Sequence, residues 1–195
     1  MKIYVSPSVQ DWNKGAGSFG TEEQRANDLA DILVPLLRVN GFEVYRNKPS
    51  MTLEQVVADS NKVLGSDDVH LALHTNAGGG KGTEMFYYSG SKAGEKLAKC
   101  VYNRVSAVTP NADRGVKHNK TFLELRGTKG VAGLLESIFH DDAQEAKWFV
   151  DHLKDVAIAI AKGMCDYAGK EYKTSVTVEP NKSNGKIMYQ VVSGS

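Results

Sequence analysis

Val131-Ala132-Gly133-Leu134-Leu135-Glu136-Ser137-Ile138-Phe139 is a nearly continuous apolar run broken by one carboxylate. Such a run suits a strand inside a sheet that is covered on both faces. Upstream of it, Val69–His74 alternates with period two, and Thr83–Tyr88, Phe42–Tyr45 and Ile3–Val5 are shorter strand-like runs. Phe122–Leu125 reads as a further short strand, and Asn111–Lys120 as a polar loop.

Helices fall between these runs. Thr21-Glu22-Glu23-Gln24 and Thr52-Leu53-Glu54-Gln55 fit capping boxes, and Asp141-Asp142-Ala143-Gln144 resembles a third. After the first box, Ala26, Leu29, Ala30, Leu33, Leu36 and Leu37 form an apolar stripe; Pro35 should kink this helix and Gly41 should end it. Lys92–Val108 is helical by spacing, and further helices are expected up to about Ala168. Strands alternating with helices predict an α/β fold: a twisted, mostly parallel sheet of about six strands with helices on both faces.

The polar segment after this unit carries no apolar stripe. Residues 1–170 are therefore expected to form the main domain, 171–185 a linker, and 186–195 the first strand of a truncated second module.

With 195 residues, 24 Lys+Arg and 23 Asp+Glu, the formal net charge is +1. This gives no support to a nucleic-acid partner, which would favour a basic excess. No run approaches the ~18 apolar residues of a membrane span. The N-terminus enters a strand-like run directly, so no secretory signal peptide is expected. Cys100 and Cys165, the two cysteines, form no CxxC pair and suit buried helix positions. Chemistry therefore has to be built from carboxylates and the five histidines.

In open α/β sheets, ligands sit beyond the carboxyl ends of the strands. The Ser6–Asn13 loop, His74, Glu136 and His140 fall at that edge, and Glu23 opens the helix fed by the loop. An ionised carboxylate within an apolar run costs several kcal/mol unless paired or ligating. Glu136 is thus either turned outward on a half-exposed strand or poised at a site. His140, four residues later, shares its face in an extended chain. His74 closes a buried strand before a glycine-rich loop, a position suited to a metal ligand or to a hydrogen-bonded structural histidine. Glu23 shares a face with Ala26, Asn27 and Ala30 and is read as inward, Glu22 as a partner of the helix dipole. His70 is read as structural, His118 and His152 as surface residues. Two histidines and a glutamate would make a plausible zinc set, with a further carboxylate as general base.

Several stretches together resemble the zinc-dependent N-acetylmuramoyl-L-alanine amidases of the third class, found in bacterial cell-wall hydrolases and phage endolysins. They are Thr21–Asn27, Leu71–Ala77, Gly82–Tyr88, Asp113–Lys117 and Leu134–Phe139. The resemblance implies Glu23 and His74 as zinc ligands and Glu136 as the catalytic residue. The family usually places a first histidine ligand in a Gly-His-Gly-Gly turn after the first strand. Here Ser6–Asn13 contains none. This is similar to clostridial and bacillar members with a Ser-Pro-Ser-x-Gln start and a Phe-His-Asp ending, matched by Phe139-His140-Asp141. His140 is the expected replacement ligand, with Gln10 or Asp11 as alternatives. Asn76, Arg126 and the Arg114–Lys117 loop are candidate substrate contacts.

The activity implied by the resemblance is zinc-assisted cleavage of the amide between N-acetylmuramic acid and L-alanine of peptidoglycan. Alternatives are a zinc peptidase acting on the stem peptide, or a wall-binding homologue without activity. Lys186–Ser195 resembles the start of a sporulation-related repeat, a peptidoglycan-binding module. A monomer acting at the cell wall is expected, made in the cytoplasm and released through membrane holes or by lysis.

Overall fold

In the computed structural model, residues 1–111, 114–173, 176–183 and 186–193 are described, the last two segments by their backbone. Asp113 of the Arg-Gly-Val-Lys loop and the terminal Gly194 and Ser195 lie outside them.

The chain runs β1 (Lys2–Pro7), α1 (Glu22–Val39), β2 (Glu43–Arg46), α2 (Leu53–Val63), β3 (Val69–Asn76), β4 (Glu84–Tyr88), α3 (Lys92–Val105), β5 (Val116–Asn119), α4 (Leu123–Arg126), β6 (Val131–Phe139), α5 (Ala143–Asp151) and α6 (Leu153–Ala168). The first six strands form one sheet in the order β2-β1-β3-β6-β4-β5. Neighbours are parallel except β4 and β6, which pair antiparallel. The expected mostly parallel α/β sheet of about six strands is therefore observed, with a reversed edge.

The period-two alternation divides the strands between two faces. Ile3, Val5, Leu71, Leu73 and Leu135 pack with α1, α3, α5 and α6 in the main core. Tyr4, Ala72, Ala132 and Leu134 turn the other way, toward α2 and α4. On the first side α3 and α6 approach closely: a Cβ on Gly163 would stand 2.5 Å from Val101 Cα, so only glycine permits this spacing. Both threonine capping boxes are present, at Thr21 and Thr52. Helix α1 continues through Pro35 to Val39, and Gly41 follows with φ +80°.

Two expectations are corrected. Phe122–Leu125 is not a strand, because Leu123–Arg126 forms one helical turn. Asn119 Oδ1 accepts from the Thr121 and Phe122 amides at 2.7 and 2.9 Å, which turns the chain before it can extend. The polar loop contains edge strand β5, which pairs with β4 alone and so needs no apolar alternation. Beyond the six-stranded sheet, β7 (Val176–Ser183) pairs antiparallel with β8 (Lys186–Ser193).

Candidate active site

The site is laid out by strand register. His74 pairs with Glu136 across β3 and β6, and Glu84 pairs with Glu136 across β4 and β6. One imidazole and two carboxylates thus form a row over three adjacent strands. The row lies on the α2/α4 face, because each side chain continues the Ala72 and Leu134 alternation.

Glu22 enters from above. Thr21 caps α1, which makes Glu22 its first residue. The loop after β1 binds this helix start: Asn13 O accepts from the Glu22 amide at 2.8 Å and Gln10 O from the Glu23 amide at 3.4 Å. Two otherwise unpaired helix donors are satisfied in this way. The Glu22 side chain is 1% exposed. Its Oε1 lies 2.7 Å from His74 Nδ1, and its Oε2 accepts from Asn13 Nδ2 at 2.7 Å. Burial alone would raise the Glu22 pKa, but hydrogen bonds and charge from His74, with Ser8 and Asn13, hold it below the usual value.

Glu124 approaches from below on α4. Its Oε2 lies 3.0 Å from His74 Nε2, while its Oε1 meets Ser6 Oγ at 2.5 Å and His70 Nε2 at 3.1 Å. Burial opposes ionisation, yet the His70 and His74 hydrogen bonds keep this carboxyl far below the ordinary range. His74 is correspondingly raised well above 6.5: burial disfavours its charge, and the two flanking carboxylates more than offset that.

Glu136 differs from both. Its Oε2 is buried and has no hydrogen-bond partner among the described residues. Burial pushes its pKa up to about 8; His74 opposes this, and Glu22, Glu84 and Glu124 add to it. Glu84 is instead neutralised: Asn76 Nδ2 donates to its Oε1 at 2.6 Å, and Arg114 (3.0 Å) and Lys117 bind its Oε2.

The ligand set expected from sequence does not come together. Glu23 Oε1 accepts from the Ser50 amide at 3.1 Å, on the side of the β2–α2 loop. The inward and outward assignments of Glu22 and Glu23 are therefore reversed. The apolar stripe through Ala26, Leu29 and Leu33 extends back by helical spacing to Glu22, whereas Glu23 lies over Asn27. His140 is buried near the site, but both ring nitrogens have protein partners: Thr75 Oγ1 at 2.8 Å and Asn13 Oδ1 at 3.0 Å. The Phe19 ring stacks on it at 5.4 Å. Its visible role is to hold the first loop.

Gln10 supports that same loop, its Oε1 accepting from Asn13 Nδ2 at 3.3 Å. Asn76 reaches the site through Glu84. Arg126 is exposed at the end of α4, its Nε donating to Thr121 O at 3.2 Å. His70 is buried between Ser60 and Glu124, His118 stands on edge strand β5, and His152 closes α5. Glu124, Glu84 and Asn13 were missed by sequence reasoning. Glu124 carried the same signal as Glu136, a carboxylate between apolar neighbours.

Among the described residues, no three His, Cys, Asp or Glu side chains already form a metal cage. The chemistry of the row nevertheless fits a divalent cation. Glu22 and Glu124 flank one imidazole, and Glu136, its register partner in the row, has a buried oxygen with no partner among the described residues. Carboxylate oxygen and imidazole nitrogen are suitable zinc donors. Glu22 Oε1 and His74 Nδ1, 2.7 Å apart on the loop side, are the pair that would hold it.

Comparison with known proteins gives the same architecture a lineage. The chain is 26% identical over 198 residues to the N-acetylmuramoyl-L-alanine amidase CwlM of Bacillus licheniformis, covering 98% of this chain and 74% of that protein. The catalytic domain of CwlV, an amidase from Bacillus (Paenibacillus) polymyxa var. colistinus, shares the fold with a TM-score of 0.78 at 23% identity, over 88% of this chain and all (100%) of that one. The catalytic domain of the CD27L endolysin, targeting Clostridia difficile, superposes with a TM-score of 0.71 at 26% identity, over 89% of this chain and 99% of its own. The N-acetylmuramoyl-L-alanine amidase family model matches residues 3–166. From Ile3 to Asp166, sheet, row and helix start included, the chain belongs to the N-acetylmuramoyl-L-alanine amidase family.

Proposed function

We propose that this chain cleaves the amide between the lactyl group of N-acetylmuramic acid and L-alanine in peptidoglycan, with zinc held by Glu22 and His74 and with Glu136 as the proton carrier. The observation that carries this reading is the register pairing of His74 with Glu136, whose Oε2 has no hydrogen-bond partner among the described residues.

Zinc, when bound, supplies Lewis acidity toward the scissile carbonyl and lowers the pKa of a water to about 7. The protein's own groups do the rest. Glu136 accepts the proton of the attacking water at a carboxylate oxygen and delivers it to the departing alanine nitrogen. Its raised affinity for protons suits it to holding that proton between the two events. Glu22 is fixed by Asn13, and His74 by the carboxylates on both sides, so neither has to reorganise during the reaction. Arg114 and Lys117, gathered by Glu84, present positive charge beside the row and would meet the anionic stem peptide.

Digestion of purified peptidoglycan followed by mass spectrometry tests the reaction. Released stem peptides with a free L-alanine amino group are expected. Shortened stems would indicate a peptidase, and no release at all a binding protein. Loss of release with chelator, and its return with zinc, tests the metal. Because this reading puts the substrate in the wall, the expected place of action is the cell wall; fractionation of lysing cells would check that.

A further inference from the structure

We infer that Glu124 is the positioning residue that fixes the ring of His74, keeping Nε2 protonated and turning Nδ1 toward Glu22. The inference rests on the zinc reading above and adds a residue that the sequence alone does not single out.

Three donors converge on this carboxylate from two strands. Ser6 of β1 and His70 of β3 meet Oε1 at 2.5 and 3.1 Å, and His74 meets Oε2 at 3.0 Å. Glu124 is 3% exposed, and α4 packs it beneath the row. His70 is secured in turn: Ser60 Oγ of α2 lies 2.9 Å from its Nδ1, and the Tyr4 ring stacks on it at 5.6 Å with a 9° interplanar angle. A buried carboxylate held by this many groups cannot shift without breaking several bonds.

The chemistry of the partners assigns the protons. An ionised carboxylate only accepts, so a nitrogen facing it must carry the hydrogen. His74 Nε2 therefore donates to Glu124. By the same rule Nδ1 carries a hydrogen toward Glu22 Oε1 at 2.7 Å while no metal is bound; a cation shared by Glu22 and Nδ1 would replace that hydrogen and leave the one on Nε2 with Glu124. Outer carboxylates that take the second N–H of a ligating histidine fix its tautomer and raise its basicity. Glu124 has that outer place: it takes the Nε2 side of His74, opposite Glu22, while Ser6 and His70 hold its other oxygen. In a row with a single imidazole and a first loop without histidine, the orientation of that ring matters correspondingly more.

Zinc affinity of the full chain, measured by competition with a chromophoric chelator, tests the assignment. Wild type should bind one equivalent. Glu124→Gln should bind about 10–100-fold more weakly at unchanged stoichiometry, with a cooperative melting transition retained. Long-range proton–nitrogen NMR of zinc-loaded wild type should show His74 with its hydrogen on Nε2. An unchanged affinity in Glu124→Gln, or a hydrogen on Nδ1 with zinc on Nε2, overturns the inference. If Glu124→Gln fails to fold, Ser6→Ala decides: removing one donor to Glu124 should weaken zinc binding by about two- to tenfold, and no change overturns the inference. A wild type that binds no zinc overturns instead the functional reading on which it rests.

Discussion

Glu84 and Glu136 stand directly opposite each other across the antiparallel β4–β6 pair. Like charges in that position repel. The structure resolves the conflict unequally: Glu84 has Asn76, Arg114 and Lys117, whereas Glu136 Oε2 has no partner among the described residues and Glu136 is pushed up to about 8. A proton between them therefore belongs on Glu136. Removing the Glu84 charge should ease ionisation of Glu136. Glu84→Gln is expected to move the acid limb of the pH–rate profile to lower pH, by up to about one unit. A limb that stays in place would show that the pair is not coupled. Because Arg114 and Lys117 lose their anchor, KM for the wall substrate should rise as well.

Glu136→Gln should lower the hydrolytic rate by about 10²–10⁴-fold while leaving fold and zinc stoichiometry intact. Retention of near wild-type release from peptidoglycan would remove Glu136 from the proton-carrying role.

The same variant has a signature in the metal-free protein. Glu136 binds its proton more tightly when folded, at about 8 against an ordinary 4.5. Between those values the native state holds a proton that the unfolded chain has released. The contribution to stability is full below the lower value and is lost as pH rises through the upper one, at about 1.4 kcal/mol for each pH unit between the two. His74, raised well above 6.5, adds a slope of the same sign. Glu136→Gln abolishes the first slope and leaves the second. Melting curves from about pH 5 to pH 9 should show the variant losing less stability than wild type; parallel curves would contradict the raised pKa.

Glu22 and Glu23 are adjacent and separable. Glu22→Ala should lose stoichiometric zinc and activity together. Glu23→Ala removes only an acceptor for the exposed Ser50 amide and should keep zinc and at least about half of the rate. Zinc analysis beside a turbidity assay on walls checks both, and the opposite outcome would restore Glu23 as the ligand.

His140→Ala leaves Thr75 and Asn13 without their shared partner and removes a stacked ring from Phe19. A loss of about 2 kcal/mol in unfolding free energy is expected. Bound zinc should stay at one equivalent with a moderate loss of rate, since the first loop would loosen while Glu22 and His74 remain. A variant that folds but cannot bind zinc would make His140 a ligand.

Much of this arrangement is legible in the chain. Strands β3 and β6 announce themselves by apolar spacing, and the carboxylate inside β6 stands out because burial makes it costly. The threonine capping box locates the start of α1. Choosing between Glu22 and Glu23 requires following the stripe of Ala26, Leu29 and Leu33 back one more turn. Glu124 stays hidden for a different reason: Leu123-Glu124-Leu125 alternates like a strand, and only the Asn119 side chain bends the backbone into a helical turn. Strand β5 is invisible because an edge with one neighbour can be polar throughout. His140 does lie by the site, but tertiary contacts with Asn13 and Thr75, distant in sequence, give it a hydrogen-bonding role.

The contacts that build the row span long stretches of chain. Ser6 meets Glu124 across 118 positions and Asn13 meets His140 across 127. Closing such large loops is entropically slow, and these contacts form only when the centre of the sheet zips together. During synthesis, helix α1 with Glu22 is complete long before α4 and β6 leave the ribosome. Partly made chains, and fragments cut before β6, therefore carry no assembled centre. A hydrolase of this build stays silent until β6 has joined the sheet, by the order of its synthesis alone.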